Sequence, residues 1–101
     1  MEDDFYNYPN PFGRQYPETF FHFQLENTSN VDIRIFTLLG ELVWSWQGAD
    51  LPQGIYDRFA TWDGRNDKGK VVLNGVYLCY IDISPQSGGS KRYMTKIAFI
   101  K

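Results

Sequence analysis

An all-β domain, a sandwich or a barrel, is the fold this sequence predicts, and three observations carry the prediction. Strand formers dominate: Val, Ile, Thr and the aromatics supply 35 of the 101 residues, whereas Ala and Glu together supply 7. Turn-forming residues recur at intervals of roughly 8–15, at Pro9-Asn10-Pro11, Asn27-Thr28-Ser29-Asn30, Gly40, Gly48 to Gly54, Asp63-Gly64, Gly69, Asn74-Gly75 and Ser87-Gly88-Gly89. The stretches between them alternate apolar and polar residues with period two, as strands with one buried face do.

Taken in order, residues 5–8 read as a short leading strand, followed by Pro9, Pro11 and Pro17, which fix φ and withhold ladder donors and so belong on a sheet edge. In residues 19–25, Phe21, Phe23 and Leu25 oppose Phe20, His22 and Gln24, and in residues 31–36, Val31, Ile33 and Ile35 oppose Asp32 and Arg34. Residues 41–47 follow across Leu38-Leu39-Gly40, a connection short enough for a hairpin in which Gly40 takes a positive φ. Residues 56–62 form the next strand, and residues 76–83, apolar on both faces, read as a central one. Residues 93–100 close the chain, giving seven strands with only Lys101 beyond them.

At 101 residues, with 43% hydrophobic and 18% aromatic content, the chain is one domain with a real core, too short for a dehydrogenase-type fold or a TIM barrel. The longest uninterrupted apolar run, residues 76–81, is six residues, where a spanning helix needs about 20, so no membrane insertion is expected. The acidic start Met1-Glu2-Asp3-Asp4 is no signal peptide and reads as a cytosolic chain or a piece of a larger one. Charge is uneven: residues 1–50 hold eight acids against two bases, for −6, and residues 51–101 hold four acids against eight bases, for +4. The bases gather in residues 65–70 and 91–101, too sparsely for a nucleic-acid footprint.

Residues able to do chemistry are few. His22, the single histidine, falls in a strand between two phenylalanines with no nucleophile beside it, and Cys79, the single cysteine, sits mid-strand between Leu78 and Tyr80, where a thiol behaves as a small hydrophobe and no internal disulfide can form. No convergent acid, base and nucleophile can be assembled, so a non-enzymatic domain without cofactor is expected. The stretch from Asp63 to Gly69 is the most metal-like. Asp63, Asn66 and Asp67 could offer oxygens to Ca²⁺, but Arg65 stands where an EF-hand needs a ligand and no glutamate closes the loop, so turn chemistry is the reading preferred over a metal. Trp44 and Trp46 are two apart and share a face. They either fill the core or, with Tyr80 or Phe20, form a platform for polysaccharide.

Five blocks then follow one another in order: Tyr8-Pro9-Asn10-Pro11-Phe12; Val31 to Val43 with its Leu38-Leu39-Gly40-Glu41; Trp62-Asp63-Gly64-Arg65-Asn66-Asp67-Lys68-Gly69; Asn74-Gly75-Val76-Tyr77; and Lys96-Ile97-Ala98-Phe99-Ile100-Lys101. Together they resemble the immunoglobulin-like domain of the bacterial flagellar hook-capping protein family, and are similar to the C-terminal sorting domains of type IX secretion cargo. The Trp-Asp-Gly loop favours the hook-capping type over the shorter sorting pattern. The resemblance spans residues 8–101 and implies a seven-stranded antiparallel immunoglobulin-like β-sandwich with Gly40, Trp62, Asp63, Gly64, Gly75 and Tyr77 as structural signature.

What the resemblance implies for function is a module over residues 1–101 of a larger exported protein, extracytoplasmic at the cell surface or secreted, acting in sorting, export or surface attachment. Its partners would be the parent protein's other domains and a secretion or surface receptor, met through a basic last strand carrying Lys91, Arg92, Lys96 and Lys101. A carbohydrate-binding module, a structural spacer and a flagellar hook scaffold are the alternatives. The fold alone does not choose among them.

Overall fold

The structure, a computed structural model, describes residues 5–101, and the acidic start Met1 to Asp4 lies outside the described residues. Eight strands follow in order: β1 (Phe5–Tyr8), β2 (Phe12–Gly13), β3 (Thr19–Leu25), β4 (Ser29–Phe36), β5 (Leu42–Leu51), β6 (Gly54–Trp62), β7 (Gly75–Pro85) and β8 (Lys91–Ile100). They form a three-stranded sheet of order β1-β3-β6 and a five-stranded sheet of order β2-β8-β7-β4-β5, packed face to face.

The all-β sandwich expected from the sequence is therefore what forms, with two corrections. There are eight strands rather than seven, and β2 runs parallel to β8, pairing Phe12 with Phe99 and Gly13 with Ile100, in an otherwise antiparallel sheet. Both follow from Pro9, Asn10 and Pro11, which carry the chain from the edge of one sheet to the edge of the other, so that it returns alongside the last strand in the same direction. Two residues are too few to show a period. β5 also runs to Leu51 rather than stopping at residue 47, because Gly48 is not a turn residue but sits opposite Val31 where the register slips. A Cβ on Gly48 would stand 2.9 Å from both the Trp46 ring and Leu51, so glycine there lets those two side chains close over the strand.

Both sheets bring rings and aliphatic chains to the core. The narrow sheet contributes Phe5, Phe21, Phe23, Leu25, Ala60 and Trp62, and the wide one Phe12, Val31, Ile33, Ile35, Tyr77, Cys79, Ile81, Ile97 and Phe99, all buried. Each of the larger apolar side chains among them contributes about 1.5–3 kcal/mol on burial. Trp62 is the hub. It lies against Phe12, Trp44, Tyr77 and Phe99 at ring-centroid distances of 5.5–6.3 Å, and its Nε1–H donates to the Arg65 carbonyl at 2.8 Å, which satisfies the one polar atom the indole brings inside. β7 is central, as expected, but its Val76, Leu78 and Tyr80 face has no layer over it and is only partly covered. An antiparallel sheet in a two-layer sandwich has one dry face.

Candidate functional site

β8 lies between β7, which it pairs with along its whole length from Lys91–Ile83 to Phe99–Gly75, and the short β2, which meets only Phe99 and Ile100. Successive strand residues send their N–H and C=O to opposite sides. The odd-numbered residues of β8 turn to β7, and the even-numbered ones turn outward, where Asn10 marks the direction: its Nδ2 donates to the Lys96 carbonyl at 2.8 Å and its Oδ1 accepts from the Ala98 N–H at 3.0 Å. One side-chain amide thus replaces a residue of a neighbouring strand. Arg14 N–H then donates to the Ile100 carbonyl at 2.9 Å.

The same device recurs at two other places. Asn74 Oδ1 accepts from the Lys101 N–H at 2.9 Å while its Nδ2 donates to the Lys101 carbonyl at 3.4 Å. On the opposite edge of the sheet, Asp67 N–H donates to the Val43 carbonyl at 3.0 Å and Asp67 Oδ1 accepts from the Ser45 N–H at 3.3 Å. Asn10, Asn74 and Asp67 all lie in the sequence blocks, where no role in sealing edges was legible: their partners are 86, 27 and 22 residues away.

The four basic residues of the last strand do not act as one patch. Lys91, Arg92, Lys96 and Lys101 are all exposed. Arg92 is committed to Asp82, donating from Nε at 2.6 Å and from Nη2 at 3.2 Å, and its guanidinium lies 5.3 Å from the Tyr80 ring centre. These bonds raise the arginine's already high pKa, and Asp82 also accepts from Arg34 at 3.4 Å. Lys96 has no ion pair among the described residues and stands next to Met94, which is half exposed.

The loop after Trp62 turns its oxygens onto its own backbone and that of β5. Asp63 Oδ1 accepts from the Arg65 N–H at 3.2 Å, and Asn66 Oδ1 accepts from the N–H groups of Lys68 and Lys70 at 2.9 and 3.0 Å. With Asp67 on Ser45, each of the three Ca²⁺ candidates has a backbone donor. Among the described residues no three His, Cys, Asp or Glu side chains gather as a metal site would require. Gly64, at φ +80°, is held against Phe99: a Cβ there would stand 2.5 Å from the ring. Tyr77, buried beside this loop, donates from its hydroxyl to the Leu73 carbonyl at 2.5 Å, and burial raises its pKa. At the other glycines of the structural signature, Gly40 takes φ +94° in the β4–β5 hairpin and Gly75 begins β7.

Trp44 and Trp46 stand opposite the fully buried Ile35 and Ile33 and point between the sheets. Trp44 stacks on Phe21 at 6.0 Å, and Trp46 leans on Phe23 and Phe59 at 6.5 and 5.9 Å. The flat exposed platform is not formed. Phe20 and Tyr80, its suggested companions, lie on the outer faces of opposite sheets.

An aromatic cluster that the sequence did not suggest covers the outer face of the narrow sheet. Tyr6 stacks on His22 at 4.5 Å, Tyr8 packs on Phe20 at 6.1 Å, and Arg58 lies 4.3 Å above the Phe20 ring. Asp57 accepts from the Tyr8 hydroxyl at 2.9 Å and lies 3.2 Å from His22 Nδ1. Those two contacts, Tyr8 first, hold the Asp57 carboxyl below its ordinary pKa, and the Tyr8 hydroxyl is raised by the same bond. The cluster depends on Arg58 and Phe59 bulging out of β6 between the pairs Asp57–His22 and Ala60–Phe21, with Arg58 at φ 70°. Cys79 is fully buried, and burial pushes its thiol far up, so it holds a core position and offers no nucleophile.

Comparison with known proteins gives one family and a shared fold. The model described as CHU_C Type IX secretion signal domain matches residues 4–99. Among solved structures, dimeric latent PorU from Porphyromonas gingivalis is similar at 21% identity and a TM-score of 0.71, over 96% of this chain and 9% of that one. FlgD from P. aeruginosa is similar at 20% identity and a TM-score of 0.59, over 76% of this chain and 58% of that one. CopC from Methylosinus trichosporium OB3b is similar at 12% identity and a TM-score of 0.53, over 94% and 92%. At these identities the likenesses show the fold. No curated protein sequence matches the chain.

Proposed function

The chain belongs to the type IX secretion signal domain family, and from that premise we propose that β8 is the strand the export machinery reads, with Lys91, Arg92, Lys96 and Lys101 as the side chains it meets. Membership makes the chain a sorting module of a protein exported to the cell surface or released, and it implies contact with the secretion machinery. The chain spans only 9% of the PorU chain it resembles, and what the rest of such a parent protein does is a separate matter. We read the module itself as non-enzymatic. Among the described residues the single cysteine is buried, and Asp57, Asp63, Asp67 and Asp82 are engaged in a surface cluster, a turn, an edge and an ion pair.

The family match over residues 4–99 carries the sorting assignment, and the exposure of the four basic side chains motivates the choice of β8. This choice is tested by fusing the chain to a secreted reporter in a bacterium that has a type IX system, and comparing wild type with a variant in which Lys91, Arg92, Lys96 and Lys101 are all Gln. These side chains are exposed, so the variant keeps its melting temperature within a few degrees. Reporter retained inside the cell supports the assignment. Export at the wild-type level by the folded variant removes these side chains from recognition.

A further inference from the structure

We propose that residues 92–96 of β8 bind an extended, acidic protein segment by strand addition, the added strand continuing the five-stranded sheet. The proposal rests on the reading of β8 as the recognised strand and deepens it by naming the partner's chemistry.

The backbone makes the first argument. Of the outward-facing residues of β8, Ile100, Ala98 and Lys96 are engaged by Arg14 and Asn10, whereas the N–H and C=O of Met94 and Arg92 and the N–H of Lys96 have no partner among the described residues. Exposed ladder groups of this kind are the template for an incoming strand. The other sheet edges are poorer templates. β5 is sealed by Asp67, slips register at Gly48 and carries Asp50 at φ 54°. β6 is bent outward at Arg58 and Phe59, and β1 is four residues long. The open part of β8, by contrast, keeps an unbroken register with β7.

Charge then selects the occupant. A second copy of the chain, added antiparallel about Met94, would place Arg92 opposite Lys96 twice over, and like charges directly opposite are destabilising. A partner with carboxylates opposite Arg92 and Lys96 reverses both terms. Lys96 has no counter-ion among the described residues, and Arg92 and Arg34 share the single carboxylate of Asp82. Between them, Met94 and the adjoining Tyr80 offer an apolar contact on the same outer face. The partner segment is therefore acidic, apolar and acidic at alternate positions.

The probe is a capped seven-residue peptide with valine at its centre, glutamate two positions to either side and threonine elsewhere, titrated into the ¹⁵N-labelled chain. Shifts and slowed exchange confined to the Arg92, Met94 and Lys96 amides are expected. The same peptide with lysine for glutamate binds about tenfold more weakly, since two attractive cross-strand pairs become repulsive. Met94→Pro removes an outward N–H without touching the β7 ladder and abolishes binding. Lys96→Glu, which alters no backbone group, shifts the preference toward the lysine peptide. Absence of binding, shifts centred elsewhere, equal affinity for both peptides, or full binding by folded Met94→Pro overturns the proposal. Dimerisation through the same amides without peptide gives the edge to a second copy and overturns it as well. In the reporter assay, normal export of Met94→Pro beside retention of the four-Gln variant rejects strand addition and keeps the sorting assignment. Normal export of both removes β8 from recognition as well and leaves the family membership standing.

Discussion

The two halves of β8 share one partner strand and differ in everything on their other side. From Lys96 onward the strand is closed in by Asn10, Arg14 and β2, and it sends Ile97 and Phe99 into the core beside Trp62. From Lys91 to Thr95 it has β7 alone, and its largest side chains, Tyr93 and Met94, are only partly covered or half exposed. One strand can therefore anchor a fold at one end and offer a binding edge at the other. The division falls where a single asparagine ends its reach.

Four substitutions test that division, in descending order of effect. Phe99→Ala, in the closed half, is expected to cost about 3–5 kcal/mol, because it empties a ring-sized space against Trp62 and Phe12. Tyr93→Ala, in the open half, is expected to cost only about 1 kcal/mol. Equal losses in urea unfolding of the two would show that the halves are one structural unit. Asn10→Ala is expected to cost about 1 kcal/mol, since water replaces the amide at an edge. Its sharper signature is local. Exchange of the Ala98 amide, which its bond to Asn10 is expected to slow in wild type, should rise toward that of Met94, and unchanged protection at Ala98 would deny the asparagine its sealing role. Arg92→Ala should change stability by about 0.5 kcal/mol or less, an effect that shrinks further with added salt, because its pair with Asp82 is solvent-facing. A larger, salt-independent loss would make Arg92 part of the scaffold and not of the open edge.

How much of this was legible in the sequence divides along physical lines. Strand positions and buried faces were readable because period two is a local property: Phe21, Phe23 and Leu25 went inside and Phe20, His22 and Gln24 outside, as their alternation requires. Features that depend on contacts between distant residues were not readable. Asn10 lies in a recognisable block, yet nothing nearby in sequence points to Lys96 and Ala98. β2 is too short for a pattern, and Gly48 looked like a turn because a glycine in a bulge and a glycine in a bend are written alike. The bulge at Arg58 and Phe59 broke the alternation of β6 and with it any sign that Tyr8, His22 and Asp57 would meet. Of the four basic residues, their exposure was foreseen, and the commitment of Arg92 to Asp82 was not.

The parallel pairing of β2 with β8 has a mechanical consequence. Tension applied between the two ends of the chain pulls these neighbours in opposite directions along their shared axis, so their bonds and the Asn10 contacts carry the load together instead of opening one after another. A tug on the ends thus meets a bolt at Phe12 and Phe99, beside the Trp62 core.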